Sequence, residues 1–382
     1  MQKTMFETMR GSSPAGERTR ERRGLRVGLA AVAALCAGLF ASACVHEKAE
    51  NTMTESAMIE GVTMRMIETN GITLRVAEAG PRDGPLVLLV HGWPESWYSW
   101  RHQIPAIAAA GYHVLAPDMR GYGGSDRPPN VEDYDIHHTT GDLVGLVDAA
   151  GADKAIIIGH DWGSIIAWNS MLLHPDRYSA LYAMSVPYGG RGRVSPLAAM
   201  KKANGDNFYY ILYHQEPGVA EAEYDADPRG ILSRLYASPD TPREPPVITD
   251  PKRSAGGWIG RLGKPKELPA WLAEKDLDYI VSEFKQSGFR GGVNYYRNFD
   301  RNWETTADLD GKTISVPVAF LAGEEDIVIR GATADQLTAS MSNVAKDLRS
   351  VTLIPHAGHW IQQEEPEKVN ALVLDFLASL KK

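Results

Sequence analysis

The sequence predicts an α/β fold whose mostly parallel central sheet is covered by helices on both faces and interrupted by a helical lid. From about residue 61, short apolar runs alternate with helical stretches. The runs are continuously apolar, as expected for strands that are buried on both faces. Between residues 190 and 305 this rhythm stops. We therefore expect a core in two parts, 61–189 and 306–382, with the lid at 190–305.

Five apolar runs are the predicted strands of this sheet. Each run ends in polar or Gly-containing residues, and ligands of open α/β sheets bind outside the carboxyl ends of the strands. Functional residues are therefore expected directly after these runs. The five runs are residues 86–90, 114–116, 156–158, 318–321 and 351–354.

The lid is predicted to be an insertion and not a separate domain. It consists of segments punctuated by Pro and Gly, among which residues 269–286 have a helical pattern. The strand pattern resumes at Val316. One fold therefore continues after the lid.

Composition and charge limit the classes of partner. The 382 residues are 43% hydrophobic and 23% charged, which is ordinary for a globular protein. A formal net charge of -8 argues against nucleic-acid binding, because neutralising phosphates requires a basic surface. The only cysteines, Cys36 and Cys44, precede the predicted fold, which excludes a thiol nucleophile or a cysteine metal site within it. We expect a small-molecule partner, no nucleic acid and no cofactor.

The N-terminus has the pattern of an export signal at residues 1–43. Five arginines between residues 18 and 26 directly precede an apolar run at residues 27–43, which is shorter than the roughly 20 residues of a membrane-spanning helix. An uncleaved anchor with snorkelling arginines is the alternative. The arginines are Arg18, Arg20, Arg22, Arg23 and Arg26.

The expected cleavage site is Ala41-Ser42-Ala43, with Cys44 directly after it. This arrangement resembles the lipobox of bacterial lipoproteins, so Cys44 is a candidate for lipidation, with soluble secretion as the alternative. Residues 1–43 contain seven Lys/Arg and three Asp/Glu, so their removal changes the formal charge from -8 to -12. Residues 44–60 are polar and are predicted to be a flexible tether. The protein is thus expected in the periplasm or cell envelope.

Gly159-His160-Asp161-Trp162-Gly163 follows a predicted strand and precedes a helical pattern at residues 164–174. This is the context of a nucleophile elbow, here with Asp161 in the nucleophile position. The alternative is that Asp161 only caps the helix. Capping does not require glycine on both sides of the turn, so the glycines favour the elbow.

An aspartate nucleophile points to attack on a saturated carbon. Its carboxylate is ionised at neutral pH and needs no base, whereas serine must lose a proton to attack a carbonyl carbon. The attack would leave an alkyl ester on Asp161. A base is then needed to activate the water that hydrolyses this ester.

The base is expected after the last predicted strand, where His356 and His359 are the candidates, and we select His359. Its partner acid should follow the preceding strand, where Glu324, Glu325 and Asp326 lie together. We select Asp326, although spacing alone does not separate the three neighbours. The order nucleophile, acid, histidine is that of the α/β hydrolases.

The segment His91-Gly92-Trp93-Pro94 follows the strand at residues 86–90. This fold takes one oxyanion-hole amide from that position and the other from the residue after the nucleophile. We therefore predict that the backbone N–H groups of Trp93 and Trp162 form the hole, and that His91 and Pro94 contact substrate. The alternative for the segment is a tight strand exit without a catalytic role.

Six stretches together resemble the soluble epoxide hydrolases, most closely the hydrolase domain of the mammalian enzymes. The resemblance spans nearly all of residues 64–380 and implies the α/β-hydrolase fold and a small apolar epoxide as substrate. The stretches are HGWPESWYSWRHQIPAIAAAGY (91–112), APDMRGYGGSDRPP (116–129), GHDWG (159–163), FYYILYHQEPGVAEAE (208–223), NYYRNFDRNW (294–303) and HAGHW (356–360).

The resemblance also implies two lid tyrosines that hold the epoxide oxygen, matched here by Tyr210 and Tyr296. Ring opening produces an alkoxide, a poor leaving group that phenol O–H groups can stabilise and protonate. Without the resemblance, Tyr209, Tyr213 and Tyr295 are equal candidates. No pattern predicts the oligomeric state.

Four rival functions share parts of this pattern. Haloalkane dehalogenases often have Asn in the position of Trp93, and fluoroacetate dehalogenases typically have Arg in that of Trp162. A carboxylesterase would have Ser at position 161. A non-catalytic receptor on the same fold would not need the complete set of catalytic residues.

Overall fold

The computed structural model describes residues 59–329 and 331–381. The predicted signal at residues 1–43, Cys44 and nearly all of the predicted tether lie outside these residues and stay predictions. Within the described part of the chain, no helix is both long enough and apolar enough to cross a membrane.

Eight strands form one sheet in the order β1-β2-β4-β3-β5-β6-β7-β8. The pairs β1/β2 and β2/β4 are antiparallel, and every other neighbouring pair is parallel. The prediction of a mostly parallel sheet is therefore confirmed. The strands are β1 (Thr63–Thr69), β2 (Ile72–Ala79), β3 (Leu86–Val90), β4 (His113–Pro117), β5 (Ala155–His160), β6 (Tyr178–Met184), β7 (Ile314–Gly323) and β8 (Ala345–Ile354).

Thirteen α-helices accompany the sheet in the described residues, and seven of them, α4 to α10, lie between β6 and β7. In chain order they are α1 (Gln103–Ala109), α2 (Ile136–Ala149), α3 (Trp162–Leu173), α4 (Pro196–Asn204), α5 (Tyr210–Tyr213), α6 (Val219–Ala226), α7 (Pro228–Leu235), α8 (Glu274–Ser287), α9 (Arg290–Arg297), α10 (Phe299–Thr305), α11 (Ala334–Met341), α12 (Ile361–Glu364) and α13 (Pro366–Ser379).

All five predicted strands are present, but three strands and one helix boundary differ from the prediction. The strands β1, β2 and β6 were not predicted, because their apolar residues are interrupted by charged or hydroxyl side chains. The helix expected at 269–286 begins only at Glu274, since Ala273 has an extended backbone and Leu272 is held in a turn by the carbonyl of Pro269.

The lid helix α8 is fixed to the core through polar side chains. Asp276, Tyr279 and Glu283 follow at spacings of three and four residues, so they share one face of the helix. Each contacts a side chain of the core domain. The contacts are Tyr98 to Asp276, Trp97 to Tyr279 and Arg75 to Glu283.

The topology reverses at β3, which lies between β4 and β5 in the sheet. The connections that leave β3 and β5 therefore diverge to opposite sides and open a crevice at the carboxyl ends of these strands. The segment that begins at His91 follows β3, and Asp161 follows β5. The fold thus brings the two predicted parts of the site to one place.

Candidate active site

Asp161 lies at a strained turn between β5 and α3. Its φ of 52° and ψ of -118° are unusual for a residue with a side chain. A Cβ atom on Gly159 would lie 2.2 Å from the Gly163 carbonyl oxygen, and one on Gly163 would lie 1.9 Å from the Val90 carbonyl oxygen. Only glycine fits at both positions. Asp161 makes no side-chain capping bond to α3, so its carboxylate is not used as a helix cap.

The carboxylate of Asp161 faces two backbone donors and two histidines. Its Oδ1 accepts a hydrogen bond of 2.8 Å from the backbone N–H of Trp93. Burial raises the pKa of Asp161, and His359, His160 and the N–H groups of Trp93 and Trp162 offset only part of this increase. Both predicted oxyanion-hole residues therefore act on the same carboxylate.

His359 connects Asp161 to Asp326. Its Nδ1 is 2.9 Å from Asp326 Oδ1, and its Nε2 is 3.7 Å from Asp161 Oδ2. Burial alone would lower the pKa of His359, but the charges of Asp326 and Asp161 outweigh it and raise that pKa to about 9. The imidazole is thus protonated at neutral pH in the resting site.

The two carboxylates differ in their access to solvent. The side chain of Asp326 is 0% exposed, and those of Asp161 and His359 are 13% and 17% exposed. Burial would raise the pKa of Asp326, but the charge of His359 and hydrogen bonds outweigh it and lower that pKa. Asp326 is therefore a buried anion that orients His359, and Asp161 is open to a substrate.

In the structure, the two selected residues, Asp326 and His359, have different environments from the neighbouring candidates. Glu324, Glu325 and His356 are exposed and do not contact the Asp161–His359 pair, whereas Asp326 and His359 do. Sequence spacing alone did not make this distinction.

The positions of His91 and Pro94 give no support to their predicted contact with substrate. His91 is 1% exposed, and its ring nitrogens are engaged with the Gly92 carbonyl at 2.8 Å and the Met119 N–H at 3.0 Å. Pro94 is buried, and its carbonyl accepts a hydrogen bond from Tyr236. Both residues shape the loop that carries the Trp93 amide.

Tyr210 at the start of α5 and Tyr296 in α9 converge above Asp161. Their ring centroids are 5.7 Å apart, and a hydrogen bond from Tyr296 acts on Tyr210. Burial and the charge of Asp161 raise the pKa of each phenol, and the hydrogen bond from Tyr296 offsets only part of this increase in Tyr210. Both phenols therefore keep their protons at neutral pH and can donate them beside the carboxylate.

The neighbouring tyrosines either donate hydrogen bonds to other residues or have a pKa that the charge of Asp161 does not raise. The phenol of Tyr213 donates to Glu223, and that of Tyr295 donates to the backbone carbonyl of Arg120, each at 3.0 Å. The pKa of Tyr209 is raised by burial only. Asp161 therefore faces Tyr210 and Tyr296.

Aromatic rings surround this opening. Trp258 stacks on Tyr210 at 4.7 Å, and Trp162 and Trp93 meet Tyr296 edge-on at 5.1 and 5.6 Å. Such rings exclude water and favour an apolar ligand. Among the described residues, no group of three or more His, Cys, Asp or Glu side chains could hold a metal ion.

Glu95 and His160 form a buried pair beneath the site that the sequence did not indicate. His160 Nδ1 is 2.9 Å from Glu95 Oε2, and His160 Nε2 donates to the His359 carbonyl at 2.7 Å. Glu95 also accepts the Gly92 N–H at 2.7 Å and a bond from Gln362 at 2.8 Å.

Opposite charges on Glu95 and His160 stabilise this buried pair. Burial would raise the pKa of Glu95, but His160 and the other donors lower it to about 2. Both ring nitrogens of His160 face oxygen acceptors, and the charge of Glu95 raises the pKa of His160 against the effect of burial. His160 is therefore a cation that ties the loops of Gly92 and His359 to the nucleophile elbow. Glu95 and His160 lie within the stretches that carry the family resemblance, and no other feature of the sequence marks them as functional.

The site thus combines an accessible carboxylate, an imidazole oriented by a buried acid, two amides and two phenols.

Comparison with known proteins shows which family this chain resembles. A family model described as the alpha/beta hydrolase fold matches residues 85–366. Epoxide hydrolase A of Mycobacterium tuberculosis is 50% identical over 320 residues, which cover 84% of this chain and 98% of that protein. Bifunctional epoxide hydrolase 2 of Sus scrofa is 38% identical and is covered over 53% of its length by 80% of this chain.

Solved structures of epoxide hydrolases are similar to this chain in both fold and sequence. Epoxide hydrolase A from Mycobacterium thermoresistibile superimposes with a TM-score of 0.75 at 48% identity, covering 83% of this chain and 98% of that one. The epoxide hydrolase from an endophytic Streptomyces gives 0.76 at 38% identity, covering 84% and 97%. The fold and site define an α/β hydrolase, and within that fold this chain belongs to the epoxide hydrolases.

Proposed function

We propose that the protein converts a small apolar epoxide into a vicinal diol through a covalent ester on Asp161. The observation that carries this proposal is an accessible aspartate at the elbow, with His359 3.7 Å away on one side and two phenols on the other. The names of the relatives support the substrate class.

Ring opening uses Asp161 and the tyrosines. Oδ1 is held by the Trp93 amide, so Oδ2 attacks an epoxide carbon. The C–O bond of the ring breaks, its electron pair moves to the epoxide oxygen, and Tyr210 or Tyr296 protonates that oxygen. The products are an alkyl ester of Asp161 and a phenolate.

Hydrolysis uses His359 and the amides. The Nε2 atom of His359 takes a proton from water, whose oxygen attacks the Asp161 carbonyl carbon. The negative charge that develops is stabilised by the N–H groups of Trp93 and Trp162. The ester bond then breaks, the diol oxygen takes the proton from His359, and the proton released by the carboxyl group of Asp161 returns to His359.

The ester itself prepares His359 for this second step. Asp161 is one of the charges that raise the pKa of His359, and an ester carries no charge. Ring opening therefore lowers the pKa of His359. Its Nε2 proton can then pass to the phenolate, which restores the phenol and leaves the neutral imidazole that hydrolysis requires.

The test separates the two steps. His359→Gln should gain the mass of one substrate molecule on the peptide that contains Asp161 and release little diol, whereas Asp161→Asn should gain nothing. His356→Gln is the matched control, because this exposed histidine of the same loop does not contact Asp161, and it should turn over normally.

An isotope experiment checks the same step in the wild type. A single turnover in 18O-water should give diol whose new oxygen is mostly 16O, since it comes from Asp161. Diol that carries 18O in the first turnover would mean direct attack by water and would exclude the covalent mechanism.

We also propose that the protein is exported and processed at Cys44, on the support of the sequence pattern alone. Mass spectrometry of protein purified from its host should find a chain that begins at Cys44. An intact Met1 would contradict export, and an unmodified Cys44 would contradict lipidation only.

A further inference from the structure

Ser185, directly after β6, has a strained backbone. Its φ is 71°, in the left-handed region that residues with side chains rarely adopt. The Val186 N–H donates to the Met184 carbonyl at 2.9 Å, which closes a three-residue γ-turn centred on Ser185. A γ-turn with positive φ is rare and strained, and such strain is typical of functional sites.

Neighbouring elements hold this turn from two sides. The Ser185 N–H donates to the carbonyl of Leu321 in β7 at 2.9 Å. The carbonyl of Val186 accepts hydrogen bonds from two side chains of α3, Ser164 at 2.8 Å and Trp168 at 3.2 Å. These contacts fix the strained conformation in place.

The same turn lies against the nucleophile and the base. The Met184 carbonyl accepts the backbone N–H of Asp161 at 3.3 Å. The hydroxyl of Ser185 lies 3.1 Å from His359 Nδ1, the atom that also faces Asp326 at 2.9 Å. Ser185 is 0% exposed, so no solvent competes for these bonds.

The hydroxyl can act on both partners. Its oxygen can accept from the Nδ1–H of His359, which also faces Asp326 Oδ1, and its polarity helps to lower the pKa of the Asp326 carboxyl. A proton held on Nδ1 leaves the lone pair of Nε2 free to face Asp161 in the ester form.

We propose that Ser185 is a positioning residue for ester hydrolysis, which fixes the ring orientation and tautomer of His359 together with Asp326. This inference rests on the covalent mechanism proposed above. Ring opening needs neither the lone pair of Nε2 nor an exact orientation of His359. Loss of the Ser185 hydroxyl should therefore slow the second step only.

The variants are Ser185→Ala and Ser185→Gly. Both remove the hydroxyl, but glycine also relieves the strain at φ 71°, so Ser185→Gly keeps the test open if Ser185→Ala folds poorly. Because a single hydrogen bond is lost, we expect kcat to fall about tenfold. KM should fall by the same factor, because kcat/KM reports ring opening and stays at the wild-type value.

Ser164→Ala is the matched control, because it removes a bond of 2.8 Å to the same turn without touching His359. Ser164→Ala should leave the ratio of the ring-opening rate to the hydrolysis rate unchanged. Single-turnover mixing, followed by quantification of the Asp161 ester, measures the two steps separately. Both Ser185 variants should accumulate ester.

Three outcomes would overturn the proposal. Wild-type hydrolysis in either Ser185 variant would show that the hydroxyl is not needed, and an equal loss of kcat and kcat/KM would indicate general structural damage. An equal effect of Ser164→Ala would assign the role to the turn as a whole. If His359→Gln forms no ester, the covalent mechanism itself fails, which is a separate result from any of these.

Discussion

Asp161 and His359 each influence the proton affinity of the other. In the resting site their charges attract across 3.7 Å, which favours an ionised nucleophile and a protonated imidazole. Ring opening requires the ionised nucleophile of this pair. The ester removes one of the two charges, so the same pair then favours the neutral base that hydrolysis requires.

At the scale of single residues, we predict that Tyr210→Phe and Tyr296→Phe each slow ring opening. Each phenol is a donor to the developing alkoxide, and loss of one such donor commonly costs about a hundredfold in rate. The double variant should be far slower than either single one. Rapid mixing that follows ester formation on Asp161 measures this rate.

Tyr209→Phe is the control for that prediction. It removes a neighbouring lid phenol, which packs on Tyr210 at 5.2 Å and whose pKa is raised by burial alone. Its ring opening should match the wild type. Wild-type rates in both Tyr210→Phe and Tyr296→Phe would show that these residues are not the donors.

The catalytic residues could be predicted from sequence only where a motif surrounds them. Asp161 and His359 follow strand ends in recognisable segments, and the tyrosines required the resemblance. Ser185 follows a strand that was not predicted, and its function depends on a γ-turn and on a contact with a residue 174 positions away. No local pattern contains that information.

At the scale of elements, strands were predicted wherever both faces are apolar. In β2, Arg75 and Glu78 are buried but paired, with Asp118 at 2.6 Å and His113 at 2.8 Å respectively. Charged residues in a strand normally indicate exposure. The long-range partners that permit their burial are visible only in the folded structure.

The docking of α8 on the core gives a prediction for this element. Glu283 is a buried partner of Arg75, so Glu283→Gln leaves a buried guanidinium with less compensating charge. Removing one partner of a buried pair typically costs about 3 kcal/mol. We expect a loss of that order in the free energy of unfolding, measured by chemical denaturation.

Glu274→Gln is the control on the same helix. Glu274 pairs with Arg229, but its side chain is 72% exposed, so its loss should cost less than about 1 kcal/mol. Equal effects of the two substitutions would show that the buried pair does not fix α8 to the core.

At the scale of the whole molecule, the site charges should make the stability of the fold depend on pH. His359 has a pKa of about 9 in the folded protein, against an ordinary value of 6.5. Below pH 6.5 both folded and unfolded chains bind this proton, and its stabilising contribution is fully present. Between pH 6.5 and 9 only the folded chain retains it, so stability falls as pH rises.

We therefore predict that the wild type loses on the order of 3 kcal/mol more than His359→Gln in free energy of unfolding between pH 6 and pH 9.5. His356→Gln, which removes an exposed histidine, should follow the wild-type curve. Urea denaturation at a series of pH values measures the difference. Parallel curves for wild type and His359→Gln would mean that the buried carboxylates do not hold the proton on His359, and that the imidazole is already neutral before the ester forms.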